Sequence, residues 1–558
     1  MYLISKTSLT QKSRKLFKNT MNRSILRKSL LLPIAMIAFA LAFYTCDNKD
    51  SGEAKVDHDP AKNIRITKFE PDSGRVRDMV IVHGENFGSD AANIKVYFNH
   101  VEARVIGASA SGDKFMVVVP RLPVVSEGDD CFIHVRVGGT SVADGSGYQG
   151  GKTANTEHLG SFRYKIAANI TTIAGNGGGQ NPSILNQGLD KAEFWPVYIA
   201  MDSEDNIFVV TDDRFLVLLN VKENLIVSLA NRDNFVHPNG SMNVHPYSDL
   251  IMSGGRDSDP RDRFLFLNPK EGWAPRNKYI SNWVTFPEDE RPTYTNTVTG
   301  EVLTYADYVV PGTGANHSWC VWSPYPDRAD DAGKREDQKT GWYYTWYFDS
   351  GIFARVDPLS MEATIVGMLP TGTNYCASVH PLRKYEIWIG AGSEGNAGEG
   401  PVRDVNGDSD VYGSWNNSVC VVDVRDVSFY YTTNATTGVQ TRSYMKSGRR
   451  LTSSVTRGSW RDGRIDEAEF QRIRQLNFDP DGNLFIGDCE NACLRQISTM
   501  SNPMMVSTVI GIPGQRGFKD GSPEEALFRQ LHGVVSDKEG VLFVTDWNNG
   551  RVRRVAIE

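Results

Sequence analysis

What this chain lacks narrows it before any motif is read. Cysteine is scarce, seven in 558 residues, and no Cys-x-x-Cys pair of the zinc-site type is present. Basic residues are not in excess: 60 Lys and Arg stand against 67 Asp and Glu, a net charge of −7. A nucleic-acid partner is therefore not expected. There is no Gly-x-Ser-x-Gly element and no phosphate loop, so nothing calls for a cofactor. The apolar run Leu30–Tyr44 spans fifteen residues, short of the roughly 20 that a membrane helix needs. Tryptophan is missing from the first 194 residues, and all eleven lie at or beyond Trp195. That shift marks where an aromatic-rich module begins.

What is present starts with a basic leader. Residues 1–30 carry eight Lys or Arg and no acid, and the short apolar run follows. Together they predict a secretory signal over residues 1–45. The n-region is long, which makes Met21 a second candidate start. Phe43-Tyr44-Thr45-Cys46 resembles the lipobox of bacterial lipoproteins, with Tyr44 and Thr45 departing from its commonest pattern. Asp47-Asn48-Lys49-Asp50 resembles the surface-export signal of Bacteroidetes lipoproteins. The resemblance implies lipidation at Cys46, anchoring in the outer membrane and exposure at the cell surface. Each lipid methylene buried contributes about 0.8 kcal/mol. Residues 46–62 are polar and acidic and predict a tether.

The length predicts more than one domain. Residues 63–167 read as short strands punctuated by Gly and Pro. They include Val80-Ile81-Val82, Ile94–Phe98 and Phe132–Val137. Gly84-Glu85-Asn86-Phe87-Gly88 follows the first of these, and the segment resembles an IPT/TIG immunoglobulin-like domain. That implies a β-sandwich acting as a spacer.

Residues 168–558 contain a repeated unit. Copies begin at Gly188, Gly463 and Gly521, and Phe194 to Asp212, Phe470 to Asp488 and Phe528 to Asp546 are each 18 residues apart. A two-strand unit with internal turns indicates a radial or stacked β-array. The unit resembles the NHL-type β-propeller repeat. The expected fold class is all-β: an immunoglobulin-like sandwich followed by a six-bladed NHL-like propeller. The last repeat ends one strand short, so residues 170–174 are expected to supply that strand and close the ring, removing two free edges. Between the clear copies, 249–252 with 263–267, then 318–322, 342–348 and 351–356, then 375–379, 386–389 and 419–424, read as strand groups. Long insertions are implied at 273–314, 325–341, 393–415 and 427–460.

Aromatics crowd these insertions and their flanks. In Trp342-Tyr343-Tyr344-Thr345-Trp346 alternate residues share a face, which is either core between blades or a platform for sugar rings. Trp195 and Trp547 stand at strand ends near turns and are the stronger ligand candidates. The candidate glycan-binding set is Trp195, Trp319, Trp322, Trp342, Trp346, Tyr375, Trp415 and Trp547. His245, His317, His380 and His532 are candidates for a metal-binding ring; turn initiation explains His245-Pro246 and His380-Pro381 more simply. Asp404 to Asp410 reads as a solvated acidic turn, without the Gly and Glu of a calcium loop. Cys489 and Cys493 are the best-spaced pair for a disulfide; the alternative is buried thiols.

The resemblances imply a lipid-anchored protein of a Bacteroidetes-type glycan uptake system that captures a polysaccharide or oligosaccharide. Its implied partners are a TonB-dependent transporter and that transporter's lipoprotein. Two alternatives stand beside this reading. A polysaccharide lyase or glycosidase would converge His, Arg, Tyr or paired carboxylates on the channel mouth, and an interaction scaffold would carry a broad apolar patch.

Overall fold

The computed structural model describes most of residues 55–557. It leaves out 1–54, 123–129, 142–147, 179–187, 232–241, 255–262, 285–292, 296–301, 305–316, 393–398, 404–409, 434–439, 454–457 and some shorter stretches. Cys46, the leader and most of the acidic 404–410 segment lie outside the described residues. Among the described residues no helix is long and apolar enough to cross a membrane. The chain forms two compact units, the second holding Lys165–Asn268 and Ala274–Glu558 with a short segment from Arg121.

The first unit is a two-sheet sandwich. One sheet orders Arg65–Glu70, Met79–Glu85, Lys114–Val118 and Val105–Ala108; the other orders Lys152–Asn155, Ile133–Val137, Ile94–Phe98 and Val101–Ala103. Ile94–Phe98 and Ile133–Val137 alternate buried and half-buried residues, as strands with one face on a core do. The Gly84–Gly88 motif makes a corner. A side chain on Gly84 would meet the Arg65 carbonyl at 2.0 Å. Asn86 adopts φ 63° and its amide donates to the carbonyls of Asp59 and Lys62 at 2.9 and 3.0 Å. Phe87 is fully buried, edge-on to Phe115 at 4.9 Å.

Among the described residues the second unit contains six sheets of four or more strands, in chain order. Their first strands are Pro196–Met201, Met242–Val244, His317–Ser323, Asn374–Val379, Ile473–Phe478 and Leu531–Ser536; we call the sheets I to VI. Each of these strands touches the next in order, and Leu531–Ser536 touches Pro196–Met201, so the inner strands run round a common axis. This is a β-propeller. Ala168–Ala174 forms the outer strand of sheet VI, antiparallel to Arg551–Ile557. The expected closure is thus made by the predicted residues, starting two positions earlier.

The insertions are not loops throughout. Ala274–Tyr279 is the fourth strand of sheet II. Thr293–Thr295 with Val302–Thr304, Glu399–Arg403 with Asp410–Ser414, and Phe429–Thr433 with Gln440–Met445 are antiparallel hairpins. Pairing satisfies the backbone groups of these described strands.

In sheets V and VI the Phe-to-Asp spacing has a structural cause. In sheet V, Asp488 accepts from Arg495 Nη1 at 2.9 Å, from the Asn491 amide at 2.9 Å and from the Gln471 N–H at 2.8 Å. Arg495 is fully buried and lies 4.6 Å over the anchor ring of Phe470. It also donates to Asp462 and to the carbonyls of Arg461 and Glu469. Sheet VI repeats every part: Asp546 with Arg553 at 3.1 Å, Asn549 at 2.8 Å, Asp520, and Phe528 beneath the guanidinium at 4.5 Å. Asp462 and Asp520 then hold the outer strands, accepting from the N–H of Thr508 at 2.9 Å and of Thr172 at 2.8 Å. The second contact pins the closing strand.

An arginine with no exposed surface is tolerable only when its donors are met and its charge is balanced. Arg553→Ala should therefore cost about 3–5 kcal/mol, because Asp546 is left buried and uncompensated. Arg553→Met with Asp546→Leu should lose far less. Urea unfolding of both variants checks this, with equal losses refuting the clamp.

Candidate functional site

The turn after the second strand of sheet VI, Asp546-Trp547-Asn548-Asn549-Gly550, carries one of the two predicted strand-end tryptophans. Gly550 closes the turn in the left-handed region at φ 57°, and its N–H donates to the Trp547 carbonyl at 2.8 Å. Trp195 precedes the first strand of sheet I. The structure brings the two indoles together, edge to face, with centroids 6.2 Å apart. His532, on the inner strand of sheet VI, stacks on Trp547 at 4.6 Å and 26°. Both ring nitrogens of His532 and the Trp547 Nε1 are buried without a hydrogen-bond partner among the described residues. Burial, and then the charges of Arg474 and Arg472, push the His532 pKa well below its ordinary value. The imidazole is thus neutral at pH 7, with one donor and one acceptor nitrogen.

A polar network borders these rings. Glu490 accepts from Arg472 Nη1 at 3.0 Å, from the Gln530 amide at 2.8 Å and from Arg516. Desolvation alone would raise the Glu490 carboxyl, but these partners outweigh it and hold it below the usual range. Gln530 Oε1 in turn accepts from the Asn548 amide. Arg472 sits at φ 62° and its N–H donates to Asn417 Oδ1 at 2.8 Å. A positive φ at a long side chain is strain that its surroundings must impose.

Sheet I departs from the clamp. The positions matching Asn491 and Arg495 are Phe215 and Leu219. Asp212 therefore has no buried arginine and is exposed on its turn, its N–H bonded to the Trp195 carbonyl at 2.9 Å. Though open at its surface, it is enclosed enough that desolvation, followed by Asp213, raises its pKa; Arg474 and Arg214 act against this.

Below this level a side chain bridges sheets V and I. Gln475 of sheet V reaches Ile199 of sheet I, donating to its carbonyl at 2.7 Å and accepting from its N–H at 3.2 Å. The crossing passes Gly533, where a side chain would meet Gln475 Oε1 at 2.8 Å.

The remaining predicted residues fall elsewhere. Trp322 is buried, 4.1 Å from the His245 ring, and its Nε1 donates to the Thr340 carbonyl. Trp346 has no exposed surface and packs with Tyr344, Phe353, Ile387 and Ile389 between sheets III and IV. Trp342 is half-buried against the same cluster, bonded to the Pro326 carbonyl and covered by Arg328 and Arg355. The Trp342–Trp346 face is thus core between blades, and Trp346 and Trp322 have no free face to offer a ligand. Trp319 and Tyr375 lie within strands, but their side chains are outside the described residues, as is Trp415.

The histidines are divided too. His245 Nε2 bonds to the Lys339 carbonyl and its Nδ1 accepts from the Ser248 N–H. His380 Nδ1 accepts from the N–H groups of Leu382 and Arg383, and burial drops its pKa to about 3. Both initiate turns after the first strands, at the opposite strand end from Trp195. The His317 side chain is outside the described residues. Among the described residues no group of three or more His, Cys, Asp or Glu is placed to hold a metal.

Residues 65–152 match the IPT/TIG domain family. No curated protein matches the chain. A structural-genomics protein of unknown function from Bacteroides thetaiotaomicron is similar over 90% of this chain and 100% of its own, with 20% identity and TM-score 0.50. That likeness shows the fold. Two auxiliary nutrient binding proteins, from B. thetaiotaomicron and Bacteroides ovatus, align over 90% of this chain and 99% and 100% of theirs. Their identities are 19% and 17%, and both TM-scores are 0.46.

Cys131, Cys320, Cys376, Cys420, Cys489 and Cys493 are buried free thiols, so the Cys489–Cys493 bridge is not formed. Burial pushes Cys131, Cys376, Cys420 and Cys489 up to about 12. The thiolate, the reactive form, is thereby suppressed. At pH 8 an aromatic disulfide reagent should label none of these six in the folded protein and all six after unfolding. Four labelled after unfolding would indicate the bridge.

Proposed function

We propose that this chain is a surface lipoprotein that captures a polysaccharide or oligosaccharide at the Trp195–Trp547 pair. The reading is carried by that pair: two indoles at the strand ends of sheets VI and I, beside a neutral imidazole and an amide and carboxylate network. The apolar C–H faces of a sugar ring stack on indoles, and its hydroxyls both donate and accept, which suits Gln530, Asn548 and Glu490. The IPT/TIG domain serves as the spacer and Cys46 as the lipidated anchor in the outer membrane. A TonB-dependent transporter and its lipoprotein receive the captured glycan. This assignment follows the Bacteroidetes-type signal around Cys46.

Affinity gels containing starch, xylan, laminarin or pectin test the capture. Trp547→Ala and Trp195→Ala should each weaken retention about tenfold, which is ~1.4 kcal/mol. Retention unchanged in both would remove the site. The anchor is tested separately by Cys46→Ser. That variant should move from the membrane to the soluble fraction, because the acyl chains that hold the protein are lost.

A further inference from the structure

We propose that the binding face extends outward from Trp195 and Trp547 over sheets VI and V, with Phe518 and Trp460 as two further sugar subsites. The ligand is then a chain of several sugar residues, bound along its length. This rests on the glycan-binding reading above.

Phe518 and Trp460 are the only aromatic rings among the large hydrophobic side chains found exposed in the described residues, each at 44%. They hold the same position in two repeats, ten residues before the anchors Phe528 and Phe470. Their backbones repeat as well. The N–H of Gly517 donates to the Phe528 carbonyl at 2.9 Å, and that of Ser459 to the Phe470 carbonyl at 3.2 Å. The carbonyl of Gly517 accepts from Asn549 at 2.6 Å and that of Ser459 from Asn491 at 2.8 Å.

Each ring is stiffly backed. The clamp arginine lies between the exposed ring and the anchor: Arg553 is 5.2 Å from Phe518, and Arg495 is 5.9 Å from Trp460. Arg551 adds a second cation 3.8 Å from Phe518, and Trp460 Nε1 donates to Thr508 Oγ1 at 3.0 Å. A ring held in this way loses little freedom when a ligand stacks on it. The turn that presents Trp547 also presents Phe518, because Asn549 ties it to Gly517. The two rings thus belong to one rigid piece.

Trp460 and Phe518 are the only large hydrophobic side chains exposed from residue 458 onward among the described residues, too few for the continuous apolar patch that a protein partner would require. Flat, separate rings repeated one blade apart suit a repeating ligand whose units each offer a C–H face.

The test uses the full chain on the same polysaccharide gels, with short fragments of the retained polymer as competitors. Phe518→Ala and Trp460→Ala should each weaken retention of the polymer about fivefold. They should leave the inhibition constant of di- and trisaccharides at the mouth unchanged, whereas Trp547→Ala should weaken both. Polymer retention equal to the unaltered protein in both outer variants would overturn the proposal. If either variant melts several degrees lower, Phe518→Tyr and Trp460→Phe keep a ring over the arginine. Those variants should restore retention, and failure to do so would also overturn it. An unaltered protein that retains no polysaccharide removes the underlying glycan reading along with this one.

Discussion

A guanidinium with no access to water organises the closing part of this propeller. Arg495 and Arg553 each face a buried aspartate, a second aspartate, two backbone carbonyls and an aromatic ring. Removing a charge from water costs several kcal/mol, and only this full set of partners offsets it. The set reaches from the anchor loop through the second and third strands to the outer strand. One residue therefore fixes the relation of four segments. Through Asp520 it also fixes the strand that closes the ring, which no local turn could do.

The same constraint shapes the face above it. Where the clamp is complete, in sheets V and VI, the aspartate turns are rigid and present Glu490, Trp547 and the outer rings in fixed places. Where it is absent, in sheet I, Asp212 is released to the surface beside Trp195. The candidate site lies between a clamped turn and an unclamped one. His532 and the Trp547 nitrogen lie there without hydrogen-bond partners among the described residues. Buried polar groups left in that state cost about 1–3 kcal/mol each, and sites that bind are where such costs are tolerated.

Much of this was legible in the residues. The Phe-to-Asp spacing of 18 exposed the repeat; in sheets V and VI the clamp holds that spacing, and sheet I keeps it without the arginine. The missing last strand followed from counting, and His245 and His380 read correctly as turn formers. The arginines were not legible. Arg495 meets Asp462 across 33 residues, and neither looks unusual alone. The hairpins inside the insertions were missed because their strands alternate weakly. The aromatic run at Trp342 showed which residues share a face. Which sheet covers that face is a tertiary fact, and Ile387 and Ile389 supply it from 40 residues away. The Trp195–Trp547 contact joins the two ends of the propeller; strand-end position singled out each residue but not their contact. Phe518 carried no signal beyond its place in the repeat.

The most direct measurement is a crystal structure of the chain soaked with a short fragment of whichever polysaccharide it retains. The account predicts a sugar ring against the Trp547 or Trp195 indole, with its hydroxyls within hydrogen-bond distance of the Gln530–Asn548–Glu490 network. A sugar bound on the opposite face, or between the outer hairpins with both indoles uncovered, would contradict it.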